Sequence, residues 1–311
     1  MHICFDLRRV KLKTYVKPVI TLGTFDGVHL GHRAILERLK EKASKRKVKS
    51  IAVTYEPHPQ SIVSPSDAPL ILTTLEEKLD LLEEFKIDET VVIDFDQELA
   101  NYAPDRFVRE ILVDKLDVGA VVIGYNHGFG KNRTGNLELL KEEGKQRGFE
   151  VEVVPPVEYE KKPISSSRIR RSLKQGQFDD LLKMLGHGYP LYGNLIEGRG
   201  RGKEMGYPTA NLEVNSRKLL PPDGVYAAEA IIGSQKKQGM MYIGTNPTFE
   251  QKERSLEVHL FDFSQSIQVG EKLKANLKSW VREEMKFDSV ENLKKKLEQD
   301  EIKIKTFFRT N

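Results

Sequence analysis

Near Met184 the chain changes texture, and that change excludes most ways of folding it around a single core. Before it, apolar β-branched runs alternate with segments of helical periodicity, the pattern of a parallel sheet flanked by helices. Candidate strands are Pro18–Gly23, Ser50–Tyr55, Thr90–Phe95, Val118–Gly124 and Glu150–Val154. Between the first two, Leu30, Ala34, Ile35, Leu39 and Ala43 recur at helical spacing, so a helix should begin near Leu30 and lay this stripe on the sheet. Leu75–Phe85, Pro104–Leu116 and Asn136–Gly148 should fill the same role later. After Met184 the runs LYGNLI, TANLEV, GVYAAEAII, GMMYIG, LEVHLFDF and EKLKANLKSW are short and divided by Gly, Pro and Asn. Such spacing suggests an antiparallel barrel or sandwich. The end returns to helical spacing, with Val290, Leu293 and Leu297 on one face and the charge run KKKLEQDEIKIK as its solvated side. A chain of 311 residues also exceeds what one hydrophobic core usually serves, roughly 250–300 residues. The expected domains are therefore 1–184 and 185–311.

Composition narrows the chemistry. With 39% hydrophobic and 31% charged residues the chain belongs with globular proteins rather than disordered or membrane ones. Its one cysteine, Cys4, excludes an internal disulfide and a thiolate zinc cluster, which fits a reducing compartment. The start MHICFDLRRVKLKTYVK reads as neither signal peptide nor anchor, so a cytoplasmic protein is expected, with no membrane partner. The net charge of +4 is spread along the chain rather than massed in one stretch. Small anionic substrates account for it without nucleic acid. A monomer or weak homo-oligomer is expected.

The segment VITLGTFDGVHLGH, residues 19–32, sets a strand, a glycine turn and two histidines at a helix start. Free backbone N–H groups and the helix dipole attract phosphate there. Gly23, Gly27 and Gly31 allow close backbone approach, and His29 and His32, three apart, can share one helical face and one phosphate. A single histidine at a turn is usually just a satisfied polar residue, and the surrounding context reverses that reading. YEPHP at 55–59 and GYNHGFGKNRTG at 124–135 follow the second and fourth strands, where open α/β sheets bind ligands. ISSSRIR at 164–170 offers small hydroxyls at a helix start and a guanidinium one turn in, although it also reads as a capped basic helix.

GVHLGH resembles the H-x-G-H signature of the nucleotidyltransferase superfamily, and GTFDGVHLGH resembles its bacterial FAD synthetase branch. ISSSRIR is similar to that branch's I-S-S-T-x-I-R motif. The resemblance implies a Rossmann-like N-terminal domain in which His29 and His32 are catalytic. It implies that Gly23, Phe25, Gly31, Ser166, Ser167 and Arg170 meet ATP and its phosphates, and that His58, Pro59 and Asn126 hold flavin. Asn126 and His127 stand where the family often has Asp and Phe, and Ser167 where it often has Thr.

Gly193–Asn211, GNLIEGRGRGKEMGYPTAN, invites comparison with a P-loop. The comparison fails because three residues, not four, separate Gly198 from Gly202-Lys203, and Glu204 replaces the required Ser or Thr. By itself GRGRGK is a flexible hairpin. GYPTAN, however, resembles the G-F-P-T-A-N signature of riboflavin kinases, and PPDGVYA (221–227), TNPTF (245–249) and LEVHLFDF (256–263) occur after it in that family's order. The resemblance implies that Gly198, Gly202 and Lys203 cover the ATP phosphates and that Thr209 and Asn211 hold Mg²⁺. It implies that Glu257 is the catalytic base and leaves Asn246 as a substrate contact. A lone Glu in a strand is otherwise an outward-facing residue alternating with Leu256 and Val258.

The whole chain is thus similar to bacterial riboflavin kinase/FAD synthetases, which implies riboflavin, FMN and ATP as substrates, Mg²⁺ as cofactor, and FMN and FAD as products. Two alternatives remain open at this point: adenylylation of another phosphorylated metabolite, and a flavin-binding or RNA-binding regulator with reduced catalysis.

Overall fold

The structure, a computed structural model, describes residues 2–4, 16–198, 201–245, 248, 254–263 and 268–310; for 2–4, Arg201 and Lys203 only the backbone is described. Contacts divide the chain into two compact units, Met1–Ser166 and Ser167–Asn311.

The first unit carries strands β1 (His2–Cys4), β2 (Val19–Leu22), β3 (Ser50–Glu56), β4 (Glu89–Asp94), β5 (Ala120–Gly124) and β6 (Glu150–Val154) in one sheet of order β1-β4-β3-β2-β5-β6. All neighbours pair parallel. The five expected strands are present within a residue or two of their limits, and β1 was not expected. A small antiparallel pair, β7 (Glu158–Tyr159) and β8 (Lys162–Pro163), comes after the sheet.

Parallel strands buried on both faces read as near-continuous apolar runs, and β2 is buried at all four positions. One face packs Ile20, Ile51, Val53, Val91 and Ile123 under Phe107, Leu112 and Leu140; the other packs Val19, Ala52, Ala120 and Val122 under Leu36, Leu39 and Leu82. The helices are α1 (Leu30–Arg46), α2 (Pro59–Val63), α3 (Leu75–Glu83), α4 (Gln97–Ala100), α5 (Pro104–Phe107) and α6 (Leu137–Arg147). In α1, Leu39 and Ala43 are buried as the stripe requires, Ala34 and Ile35 pack partly, and Leu36 joins them. The expected helix Pro104–Leu116 is α5 continued by a π-helical stretch, Val108–Lys115. Its wider turn, closed by Leu116 N to Ile111 O, lets Val108, Ile111 and Leu112 all face the core.

α7 (Ser166–Lys174) and α8 (Phe178–Leu185) lead into the second unit. The sequence places the end of the first domain at residue 184. By contacts both helices group instead with the strands of the second unit, and the Phe178 ring packs against Tyr226 at 5.1 Å between centroids. Those strands are β9 (Tyr189–Ile196), β10 (Ala210–Val214), β11 (Gly224–Ile232), β12 (Gln235–Gly244), β13 (Ser255–Leu260) and β14 (Lys272–Glu283), with the short helix α9 (Arg201–Glu204) after β9. They close a barrel of order β10-β13-β12-β11-β14-β9, every pair antiparallel. The sequence left barrel and sandwich open, and the structure is a barrel.

Helix α10 (Val290–Thr310) covers part of its outer face, where Ile304, Leu297, Phe307 and Phe308 meet Val225, Ala227, Met240 and Val281. Two expectations for this helix change. Val290 is 50% exposed, because the buried seam lies toward the other end. Asp300, inside the supposed solvated run, is 2% exposed and receives the Arg282 guanidinium at 2.7 Å.

Candidate active sites

β2 ends in a tight turn in which Phe25, Gly27 and Val28 have φ of 47°, 85° and 38°. Left-handed backbone is unfavourable for Phe and Val, and the apolar core that buries both side chains to 1% exposure holds them there. Asp26 is 2% exposed, and its Oδ1 accepts from Leu72 N and Thr73 N at 2.9 Å each and from Thr73 Oγ1 at 3.3 Å. Gly27 N donates to Thr73 Oγ1 at 2.9 Å. These bonds fasten the turn to the approach of α3. The switch in strand order lies here, since β2 has β3 on one side and β5 on the other, and such a crevice beyond the strand ends is where open α/β sheets bind ligands.

His29 is the N-cap of α1, its Nδ1 accepting from His32 N at 3.3 Å. The two rings stack, 3.6 Å between centroids and 15° apart, and the edge of the Phe25 ring meets His32 at 5.3 Å. A Cβ on Gly31 would stand 3.1 Å from His29 Cε1, so the cap ring would have to give by a few tenths of an ångström. Burial, then the charges of His29 and Lys78, push the His32 pKa well below 6.5 and keep the imidazole neutral. Its Nδ1 is buried without a hydrogen-bond partner among the described residues. Phe25 therefore gives the site a buried ring that props His32.

The other expected residues of this unit are spread around it. His58 caps α2, its Nδ1 accepting from Gln60 N at 3.2 Å, and Pro59 is the first helical residue. Asn126 is exposed in the loop after β5, its carbonyl accepting from Arg133 at 3.3 Å. Next to it, burial and the Arg133 charge push His127 down to about 4. Ser166 Oγ donates to the Asp26 carbonyl at 2.9 Å, tying the first residue of α7 to the turn. Ser167, exposed, and Arg170, half-buried, come next in the same helix and count with the second unit.

Lys78 was missed by sequence reasoning. Lys78 as a whole is 5% exposed, and its ammonium donates to Thr54 Oγ1 at 3.2 Å and the Tyr55 carbonyl at 3.3 Å. The available signal was a lysine in the apolar stripe of Leu75, Leu81 and Leu82.

In the second unit the strand register builds the site. Glu257 faces Asn211 on β10 and Tyr242 on β12, so the three form a row across adjacent strands. Leu256, Val258 and Leu260 point into the barrel, while Glu257 lies on the outer face beside the area under α10. Thr209 Oγ1 donates to Glu257 Oε2 at 3.0 Å and Ser255 Oγ to Oε1 at 3.1 Å. A Cβ on Gly198 would collide with the Asn211 amide, and one on Gly202 with the Tyr207 carbonyl beside Thr209, so these two glycines lie against Asn211 and Thr209. The side chain of Lys203, and all of Asn246, lie outside the described residues.

Comparison with known proteins agrees in both halves. The family model for FAD synthetase matches residues 12–168 and that for riboflavin kinase residues 185–308. A bifunctional riboflavin kinase/FMN adenylyltransferase of Buchnera aphidicola is 34% identical, with 93% of each chain covered; one of Listeria monocytogenes is 35% identical over 95% of this chain and 94% of its own. A solved structure described as a macrolide-efflux protein from Streptococcus pneumoniae is 31% identical, covers 97% of this chain and 98% of its own, and superposes with a TM-score of 0.84. Among the described residues no helix is long and apolar enough to cross a membrane. With both family models matched in order and relatives aligned nearly end to end, the chain belongs to the bifunctional riboflavin kinase/FMN adenylyltransferase family.

Proposed function

We propose that residues 185–311 phosphorylate riboflavin to FMN with ATP and that residues 1–184 adenylylate FMN to FAD with release of pyrophosphate. The observation that carries this reading is the cluster of Thr209, Asn211 and Glu257, with Gly198 against Asn211 and Gly202 beside Thr209. It combines a carboxylate held by two hydroxyls with neutral oxygen groups. Phosphorylating a ribityl hydroxyl requires removal of its proton, and Glu257 is the group placed to accept it. Thr209, whose hydroxyl donates a hydrogen bond to Glu257, keeps its oxygen lone pairs for a cation, and with the Asn211 amide oxygen it offers hard oxygen ligands of the kind Mg²⁺ takes. A bound Mg²⁺ would neutralise charge on the transferring phosphoryl group. The residues present fit that role.

In the first unit the nucleophile is the FMN phosphate, already anionic, so the protein has only to align it with the α-phosphorus of ATP and stabilise the charge that develops. The α1 N-terminus supplies amides and dipole there. Neutral His32 offers a ring N–H without protonating the incoming phosphate. Gly23, Phe25, Gly31, Ser166, Ser167 and Arg170 are proposed to meet ATP, and His58, Pro59 and Asn126 the flavin.

Purified protein given riboflavin and Mg-ATP should yield FMN and then FAD. His29→Ala should stop FAD formation and spare FMN formation, and Glu257→Ala should do the reverse when FMN is supplied. Loss of both activities in each variant would sink the two-site reading.

A further inference from the structure

The Lys78 ammonium sits beneath the nucleotide turn, and the reading above gives it no task. Three observations place it. It donates to Thr54 Oγ1 and to the Tyr55 carbonyl at the end of β3, and Thr54 in turn donates to the Thr24 carbonyl at 3.1 Å, so one chain of bonds runs from α3 into the turn after β2. Lys78 lies one turn inside α3, whose N-cap Thr74 closes a capping box with Glu77, so the backbone that carries it is fixed. An ammonium has three protons, and only two acceptors are found for it among the described residues.

A purely structural explanation is weak. Burying an ammonium carries a penalty that an apolar side chain of similar volume avoids, and Leu75, Leu81 and Leu82 show that the stripe accepts apolar residues. Burial lowers the Lys78 pKa, while the Glu56 and Asp26 carboxylates oppose that and favour the charged form. The Glu56 carboxyl is itself raised by burial, with Lys78 acting against the shift. His29 and Lys78 are thus the charged groups that act on His32, and Glu56 at the end of β3 and Asp26 in the turn are those that act on Lys78.

We propose that Lys78 is a positioning residue for adenylyl transfer: its ammonium, bonded to Thr54 and to the Tyr55 carbonyl, braces the turn at Thr24 through Thr54 and so fixes the histidine pair that follows that turn. The proposal rests on the reading of the first unit as the FAD-forming site. Lys78 acts through His32 and the turn, and riboflavin phosphorylation in the second unit does not use it.

The test uses the full chain as wild type, Lys78→Met and Lys78→Arg. It measures FAD formation from FMN and Mg-ATP across pH 5–9, and FMN formation from riboflavin as an internal control. His32 is titrated by NMR, assigned by its loss in His32→Gln. Lys78→Met should lower kcat for FAD formation at least tenfold with KM for ATP changed less than threefold, leaving FMN formation as in wild type. Removing a positive neighbour favours imidazolium, so the His32 titration and the acid limb of the FAD profile should both move to higher pH. Lys78→Arg keeps the charge and should leave both near their wild-type positions. Wild-type kcat and an unmoved profile in Lys78→Met would overturn the proposal. Should Lys78→Met fail to fold, Thr54→Val decides: it removes the hydroxyl that links the ammonium to Thr24 and should lower kcat for FAD formation in the same way, and a wild-type kcat there would overturn the proposal. If wild type makes FMN but no FAD, the reading of the first unit falls and this proposal falls with it, whereas a failure confined to the variants touches Lys78 alone.

Discussion

Asp26→Ala should unfold one half of the molecule early and leave the other untouched. Its carboxylate accepts from two backbone N–H groups at 2.9 Å and a hydroxyl at 3.3 Å, all in buried surroundings. Alanine strands those donors under the turn, and a buried polar group left without its partner costs roughly 1–3 kcal/mol. The Thr73 hydroxyl can rotate toward another acceptor, so only the two amides are counted, which at mid-range gives about 4 kcal/mol. For a domain of roughly 150–250 residues each kcal/mol lowers Tm by about 2–4 °C, so the first unit should melt roughly 8–16 °C earlier. Scanning calorimetry resolves the change, and activity remaining after heating assigns it: FAD formation should be lost at the lower temperature and FMN formation at the wild-type one. Asp26→Asn keeps an oxygen acceptor in place and should recover most of the loss. A fall below about 3 °C for the alanine variant, or equal falls for both variants, would refute the reasoning, because the stabilisation would then not reside in these hydrogen bonds.

Gly31→Ala should lower FAD formation by about tenfold, below the hundredfold scale of an ångström-level misplacement, because the new methyl stands 3.1 Å from His29 Cε1 and the capping ring must give by a few tenths of an ångström; FMN formation should be unaffected in the same preparation. Asp300→Ala leaves the Arg282 guanidinium, 13% exposed, without its partner, and breaking a buried pair costs about 3–5 kcal/mol, so urea unfolding of the kinase half should shift to lower concentration while FAD formation persists. The His32 and His127 pKa values are both lowered on folding, so the unfolded chain binds more protons in that range. Their contribution to stability is fully present above pH 6.5 and is lost as pH falls toward about 4 for His127 and through the depressed value of His32. Urea midpoints of the first unit should therefore fall between pH 6.5 and 4, and His127→Gln should flatten part of that fall.

The features legible in the sequence are the local ones. β2 to β5 announced themselves because strands buried on both faces need apolar runs, β6 because Val alternates with Glu along an edge strand, and α1 because its cap, its glycine and its stripe lie within a short stretch ending at Ala43. Position 36 escaped the stripe because a helix beside a sheet buries more than one line of residues. β1 escaped because three residues carry no periodicity, and its pairing with β4 is a long-range matter. The π-helical stretch has no composition of its own; it exists because the widened turn brings Val108, Ile111 and Leu112 together onto the sheet. Asp300 was read as solvated because its partner Arg282 lies on a strand eighteen residues earlier (300 − 282), beyond the reach of helical spacing. Lys78 went unread for the same reason: its acceptors, Thr54 and Tyr55, belong to β3.

The two proposed sites differ in what fixes their residues, and the difference stems from the nucleophile each would handle. A phosphate nucleophile brings its own charge, so the first unit needs donors aimed at one point, which a strand-to-helix turn supplies through backbone amides and a stacked cap histidine. Such a site is written in consecutive residues, and VITLGTFDGVHLGH therefore betrays it. A hydroxyl nucleophile must lose a proton beside the phosphates, so carboxylate and oxygen ligands have to stand side by side although no single turn can present all of them. Cross-strand neighbours in an antiparallel ladder lie about 4.5–5.5 Å apart, and the register that sets Asn211 against Glu257 achieves that spacing over 46 residues of chain (257 − 211). The same pairing explains why Glu257 alternates with core residues as any exposed strand residue would. Its chemistry comes from the neighbouring strands, and only the closed barrel makes those neighbours permanent.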